Sequence, residues 1–248
     1  MASPKNVPKK VLRTVSHPSR RQEYSASTKR ALVEVATELF TARGYAGTSL
    51  DEIVAGARVT KGALYHHFSG KQALFESVFV NVEGEAATAI RKAVRGNRDP
   101  WEKALAGLRA FLEVVQEPEY RRVVIQDGPA ALGYERYREQ EERSSFHIVQ
   151  EIVSSVLQAY DLEQSMVETF SRIFFGAMSA AGSAVTAADD PARSSAEVEA
   201  AIAFILTGMR RLAESGARLS GPAEVLAEHE EGDDAPEPVA GTTSETGR

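Results

Sequence analysis

The stretch Thr48-Ser49-Leu50-Asp51-Glu52-Ile53-Val54-Ala55-Gly56-Ala57-Arg58-Val59-Thr60-Lys61-Gly62-Ala63-Leu64-Tyr65-His66-His67-Phe68 decides how this chain is read. Ser49 and Glu52 have the spacing of a capping box, in which each side chain satisfies the other's free backbone N–H, so a helix of about two turns starts at Leu50. Leu50, Ile53 and Ala57 form its inner side. Thr60 is a cap residue for a second short helix, on which Leu64 and Phe68 share one face at i,i+4 spacing. That leaves Gly62, Ala63 and His66 outward and Tyr65 on the flank.

Upstream, Leu32, Val35, Ala36, Leu39 and Phe40 make one apolar stripe of a longer helix, and Gly44 follows where a left-handed C-terminal cap belongs, with Tyr45 placed to close over it. A long helix bracing two short ones across a turn at Gly56 to Val59 has the size and spacing of a helix-turn-helix. The second short helix is then the one that enters a DNA groove. Small residues at Gly62 and Ala63 let its N-terminus approach closely, its free amides and positive dipole end favour phosphate, and Lys61 adds charge there.

Charge distribution agrees. The net charge is -6, but residues 1 to 71 hold 12 Lys+Arg against 5 Asp+Glu, and the remainder 17 against 30. A basic front end is attracted to a duplex that an acidic body repels. A merely solvated basic tail gives the same count.

The run Thr48 to Val54, followed by Val59 to Phe68 and Lys71, resembles the N-terminal signature of the TetR family of bacterial repressors, and the likeness covers roughly residues 28 to 79. The resemblance implies an all-α protein, a small three-helix domain joined by a fourth helix to a larger helical domain. It implies that Thr60, Lys61, Ala63, Tyr65 and His66 face the major groove, while Thr48 or Ser49 and Lys71 touch phosphates. It also suggests an intramolecular hydrogen bond from His67. Two positions depart from the pattern. Arg58 stands where glycine is usual; a left-handed conformation there costs an ordinary residue about 1–2 kcal/mol, although the guanidinium could reach a phosphate. Asp51 stands where a basic or neutral side chain is common, and an acid repels a phosphate backbone.

Other readings compete for single residues. Tyr65 could cover the junction between helices. His66 and His67 diverge by about 100 degrees on a helix and so are poor joint ligands for a metal. Residues 1 to 24 carry Pro4, Pro8 and Pro18 and read as a flexible basic arm, either solvated or tracking a minor groove. Residues 221 to 248, with eight Asp+Glu against one Arg, read as an acidic disordered tail. A helix-turn-helix domain over 25 to 70 and an effector-binding and dimerisation domain over 71 to 220 lie between them.

Beyond Phe79 there is no P-loop, dinucleotide fingerprint, nucleophile elbow or His-Glu-x-x-His, so no enzyme is expected. No cofactor or metal is expected either; His147 and Glu151, four apart on a helix, lack a third ligand. Asp99-Pro100 starts a helix that Pro118 stops, and the breakers Asp127-Gly128-Pro129 to Gly133-Tyr134 mark a second interruption. Helices are expected from about Tyr134 to Tyr160, Glu163 to Ala187 and Ser195 to Glu214. Such an interruption can line a small-molecule pocket. Its candidate apolar wall is Trp101, Phe111, Val115, Phe146, Phe175 and Met178, with Gln126, Tyr134 and His147 as polar handles; plain core packing is the alternative for each.

The last two long helices are rich in small residues, Gly176 to Ala184 and Ala200 to Ala203. With Ile173, Val185, Ile202, Ile205, Met209 and Leu212 they suit a two-fold four-helix interface, or else a monomeric core. A homodimer would set two reading helices about 34–36 Å apart on a palindromic double-stranded operator. The chain has no cysteine and no long apolar run, which suits a cytoplasmic protein without membrane contact. The expected function is thus a repressor released by an unknown small-molecule effector; a helical ligand-binding or scaffold protein with a basic, protein-contacting domain is the alternative, and an enzyme without a legible motif a third.

Overall fold

The computed structural model describes residues 20–216, and within them the chain is helical without a strand. α1 spans Arg20–Arg43, α2 Leu50–Gly56, α3 Lys61–His67 and α4 Lys71–Val94. α1 begins at Arg20, so the last residues assigned to the basic arm are helical; the rest of the arm and the acidic tail lie outside the described residues.

The local signals act as expected. Ser49 Oγ accepts from Glu52 N at 3.2 Å and the Glu52 carboxylate accepts from Ser49 N at 2.9 Å, closing the capping box of α2. Thr60 Oγ1 accepts from Ala63 N at 3.1 Å and so caps α3; each such cap contributes about 1 kcal/mol. Gly44 ends α1 at φ 75°. Gly56 is held against α1: a Cβ there would come within 2.7 Å of Val35 Cγ1.

α5 runs Pro100–Val114, with Asp99 Oδ1 accepting from Trp101 N at 2.8 Å. A π-helical segment, Tyr120–Asp127, passes straight into α6, Gly128–Leu132. The interruption expected at Asp127-Gly128-Pro129 is therefore bridged. Pro129 falls in a first turn, where no N–H is needed. Gly128 serves packing instead, since a Cβ would lie 3.0 Å from the rings of Phe79 and Tyr137. The real break is Gly133, at φ 82°.

α7 (Tyr134–Glu141) and α8 (His147–Ala159) are joined by a second π-helical stretch, Glu142–Phe146. A short 3₁₀ turn, Gln164–Met166, leads into α9, Val167–Ala187. α10, Pro191–Glu214, begins before the expected Ser195 because Asp190 Oδ1 caps Arg193 N at 3.0 Å ahead of Pro191.

α4 joins the two parts of the molecule. A single apolar cluster runs from Leu32 and Phe40 on α1 through Leu64 on α3 and Phe75 and Phe79 on α4 to Val115, Val123 and Val185. The small N-terminal unit therefore shares its core with the larger one. At about 1.5–3 kcal/mol for each fully buried large side chain, this shared core resists separation of the two. No helix among the described residues is long and apolar enough to cross a membrane.

Candidate DNA-reading helix and ligand cavity

α3 is pinned from within and open outside. Leu64 and Phe68 are buried in the core, while Lys61, Gly62 and His66 are exposed and Tyr65 is 58% exposed. Ala63 is half-buried. Nothing in the fold requires glycine at position 62: a Cβ there would meet only Thr60 Oγ1, at 3.8 Å. A smooth N-terminal face with free amides is thus presented to solvent beside Thr60 and Ser49, both exposed.

Besides Ser49 and Thr60, which cap α2 and α3, three of the expected contact residues have intramolecular partners. Thr48 is 2% exposed, and its hydroxyl donates to the Gly44 carbonyl at 2.9 Å and to that of Leu39 at 3.2 Å. It satisfies carbonyls at the end of α1, which turns it away from any phosphate and leaves Ser49 as the exposed hydroxyl. Lys61 Nζ lies 2.7 Å from Asp51 Oδ1, and the hydrogen bond to that carboxylate raises the lysine's pKa. Lys71 is half-buried with its ammonium 4.4 Å from the Tyr45 ring centre, a cation–π contact at the start of α4.

Arg58 adopts φ 54°, the left-handed conformation that its place in the turn demanded, and its side chain is exposed. His66 and His67 stand edge to face at 5.1 Å between ring centres. Burial, followed by His66 and Lys29, lowers the His67 pKa. No group of three His, Cys, Asp or Glu able to hold a metal occurs among the described residues.

The larger unit encloses a cavity of about 140 Å³ among α4, α5, α8, α9 and α10. Trp101, Phe111, Phe175 and Met178 line it. Val115 is fully buried in the neighbouring core, and Phe146 stands edge-on to Phe175 at 5.4 Å, behind the wall. Gln126, Tyr134 and His147 fall outside the cavity: Gln126 is exposed beside Arg122, Tyr134 is 73% exposed, and His147 meets Arg91 in a separate open groove.

The cavity's polar groups come from residues that the sequence pattern did not single out. Glu83 on α4 is 2% exposed, with Oε1 accepting from Tyr120 Oη at 2.9 Å and Oε2 from Ser145 Oγ at 2.9 Å and from Ser144. Glu141 Oε1 accepts from Tyr137 Oη at 2.8 Å. Burial raises the pKa of both carboxyls. One signal was available: Glu83 lies four residues after Phe79 and three before Ala86, a charge set into an apolar stripe.

Two family models match the chain. One, described as bacterial regulatory proteins of the tetR family, covers residues 32–78, and the other, a tetracyclin repressor-like C-terminal domain, covers 101–209. Together they span more than half of the sequence. The chain belongs to the TetR family of transcriptional regulators. Members of this family are DNA-binding proteins rather than enzymes.

Among TetR-family relatives, the TetC protein of transposon Tn10 from Escherichia coli is 47% identical over 58 residues, 23% of this chain and 29% of TetC. The transcriptional activator FasR of Mycolicibacterium smegmatis is 33% identical over 85 residues, 34% of this chain and 39% of FasR. These matches span less than half the length of either relative. A solved TetR-family regulator from Pectobacterium atrosepticum superposes with a TM-score of 0.66 at 27% identity, over 77% of this chain and 97% of that one.

Proposed function

We propose that this TetR-family regulator is a homodimeric repressor that reads a palindromic operator through α3 and releases it when a small molecule enters the α4–α10 cavity. The observation that carries the reading is α4 itself: it leaves the reading helix at Lys71 and places Glu83 in the cavity wall, so one rigid element touches both sites. Thr60, Lys61, Gly62, Ala63, Tyr65 and His66 would meet base edges and groove walls, with Ser49, Arg58 and Lys71 on the flanking phosphates. Lys71 would have to leave the Tyr45 ring, and Lys61 would have to exchange Asp51 for phosphate.

A dimer is supported by the outer faces of α9 and α10. Ile173, Ile205 and Leu212 are exposed there, Phe204 is 81% exposed, and the exposed side of α9 also carries Gly176, Ala177 and Ala180. Val185 and Met209 drop out of that interface, because one is fully buried and the other lines the cavity. Ile202 also packs inward.

Ligand would tilt α4 and change the spacing of the two reading helices. A coupling of about 1–3 kcal/mol would weaken operator binding about 5- to 150-fold. A gel-shift assay on palindromic upstream fragments tests the reading: Lys61→Ala and Tyr65→Ala lose sequence-selective binding, and the wild-type complex weakens steeply between about 50 and 200 mM salt. Selective binding by both variants would remove α3 as the reader. A salt-insensitive complex would point to a protein partner.

A further inference from the structure

We infer that the cavity takes a small aryl- or alkylamine, held as its ammonium ion by Glu83 and Glu141 and packed against aromatic rings. This inference rests on the reading of the cavity as the effector site.

The charge inventory carries it. Glu83 and Glu141 both border the cavity, and no Lys, Arg or His lines it among the described residues. The groups that hold Glu83 are neutral hydroxyls, those of Tyr120, Ser144 and Ser145. Arg138 reaches Glu141 Oε2 at 3.5 Å but is not itself part of the wall, and its guanidinium stands 5.8 Å from the Phe175 ring centre. Two acids thus share one buried wall with a single base behind it. An anionic ligand would be repelled, and a neutral one would leave the acids as they are. An ammonium supplies the counter-charge where the local dielectric is low and the attraction correspondingly strong.

The rest of the wall fits the rest of such a molecule. Trp101, Phe111, Phe170 and Phe174 line the cavity, and aromatic faces attract a cation and its polarised methylenes. Trp101 and Phe111 both stand on α5, so one helix supplies two of these rings. Its 140 Å³ is close to the ~150 Å³ of a void that accepts benzene, so the occupant is little larger than a single ring. Because Glu83 belongs to α4, pairing an ammonium with it acts directly on the helix that carries the reading head.

Titration calorimetry of the full chain with three probes of nearly equal size, each a single ring with one polar substituent to suit the cavity, tests this: benzylammonium, benzyl alcohol and benzoate. The amine should bind at least tenfold more tightly than the alcohol and the carboxylate least. In Glu83→Gln and Glu141→Gln the advantage of the amine over the alcohol should shrink towards unity while binding of the alcohol persists. Equal affinities for amine and alcohol in the wild type, or an amine advantage unchanged in both variants, overturn the inference and leave the cavity reading standing. If no probe binds, or if Met178→Trp filling the cavity leaves all three affinities unchanged, the cavity reading falls as well.

Discussion

The Asp127 carboxylate accepts the backbone N–H of Tyr45 at 2.7 Å, across 82 positions of sequence. The same oxygen accepts from Arg122 Nε at 3.2 Å, so the π-helical segment Tyr120–Asp127 grips the turn that ends α1. One residue further into α4, Gln72 Nε2 donates to the Ala131 carbonyl at 2.8 Å. Polar contacts as well as core therefore tie the N-terminal unit to the larger one, on both sides of α3.

Replacing Asp127 by Ala leaves the Tyr45 amide without its acceptor in a partly buried place. Such an orphan costs about 1–3 kcal/mol. Urea unfolding of Asp127→Ala should show an unfolding free energy lower by that amount, and hydrogen exchange should show early loss of protection at the Tyr45 amide. Unchanged protection there would mean that the carboxylate is not what holds the turn.

How much of this was legible in the sequence depends on range. The caps at Ser49, Thr60 and Asp99 are local chemistry between neighbours, and they placed α2, α3 and α5. Asp190-Pro191 carries the same signal as Asp99-Pro100 and places the start of α10 four residues ahead of Ser195. The cavity wall was harder, because two π-helical stretches, Tyr120–Asp127 and Glu142–Phe146, add residues to a turn and rotate the downstream helix relative to a 3.6-residue period. His147 directly succeeds the second stretch and Gln126 lies within the first, and neither lines the cavity. Trp101, Phe111, Phe175 and Met178 lie on uninterrupted α-helix, where the period holds. Glu83 was hidden for another reason: its partners Tyr120, Ser144 and Ser145 are between 37 and 62 residues away.

Arg58 at φ 54° bears a left-handed strain that glycine would not. Arg58→Gly should raise unfolding stability by about 0.5–1 kcal/mol, the relief of strain less the greater flexibility of glycine in the unfolded chain. If the exposed guanidinium also meets a phosphate, the variant's operator affinity should fall, with its log–log salt dependence shallower by about 0.9. Denaturant titration and salt-dependent binding separate the two effects. A loss of stability would show that the side chain does more for the fold than its backbone costs.

Asp51 holds Lys61 at 2.7 Å with both side chains mostly exposed. Operator phosphate must compete with that carboxylate, whose own charge also opposes the duplex. Asp51→Asn should therefore tighten operator binding at a given salt concentration, with Lys61 freed from its competitor and one repelling charge removed. Equal affinities for variant and wild type would show that the carboxylate does not compete with the operator for Lys61.

The cavity carboxyls contribute to the pH dependence of stability. Burial raises the Glu83 pKa above its ordinary value against the pull of the Ser144, Tyr120 and Ser145 hydroxyls; Glu141 is raised in the same way, with Glu83 itself adding to the effect and Tyr137 and Arg138 opposing it. In the unfolded chain each titrates near about 4.3. Below that pH both states hold their protons and the two groups cost nothing. As pH rises the unfolded chain releases protons that the native state still keeps, so stability falls until the raised folded pKa values are passed. Glu83→Gln removes one of these ionisations while keeping a side chain that hydrogen-bonds. Its melting temperature should match that of the wild type near pH 4 and exceed it at pH 8, in calorimetric scans of both proteins across that range. Parallel curves would mean that Glu83 titrates alike in the folded and unfolded chain, and that burial exacts no charge penalty at the cavity wall.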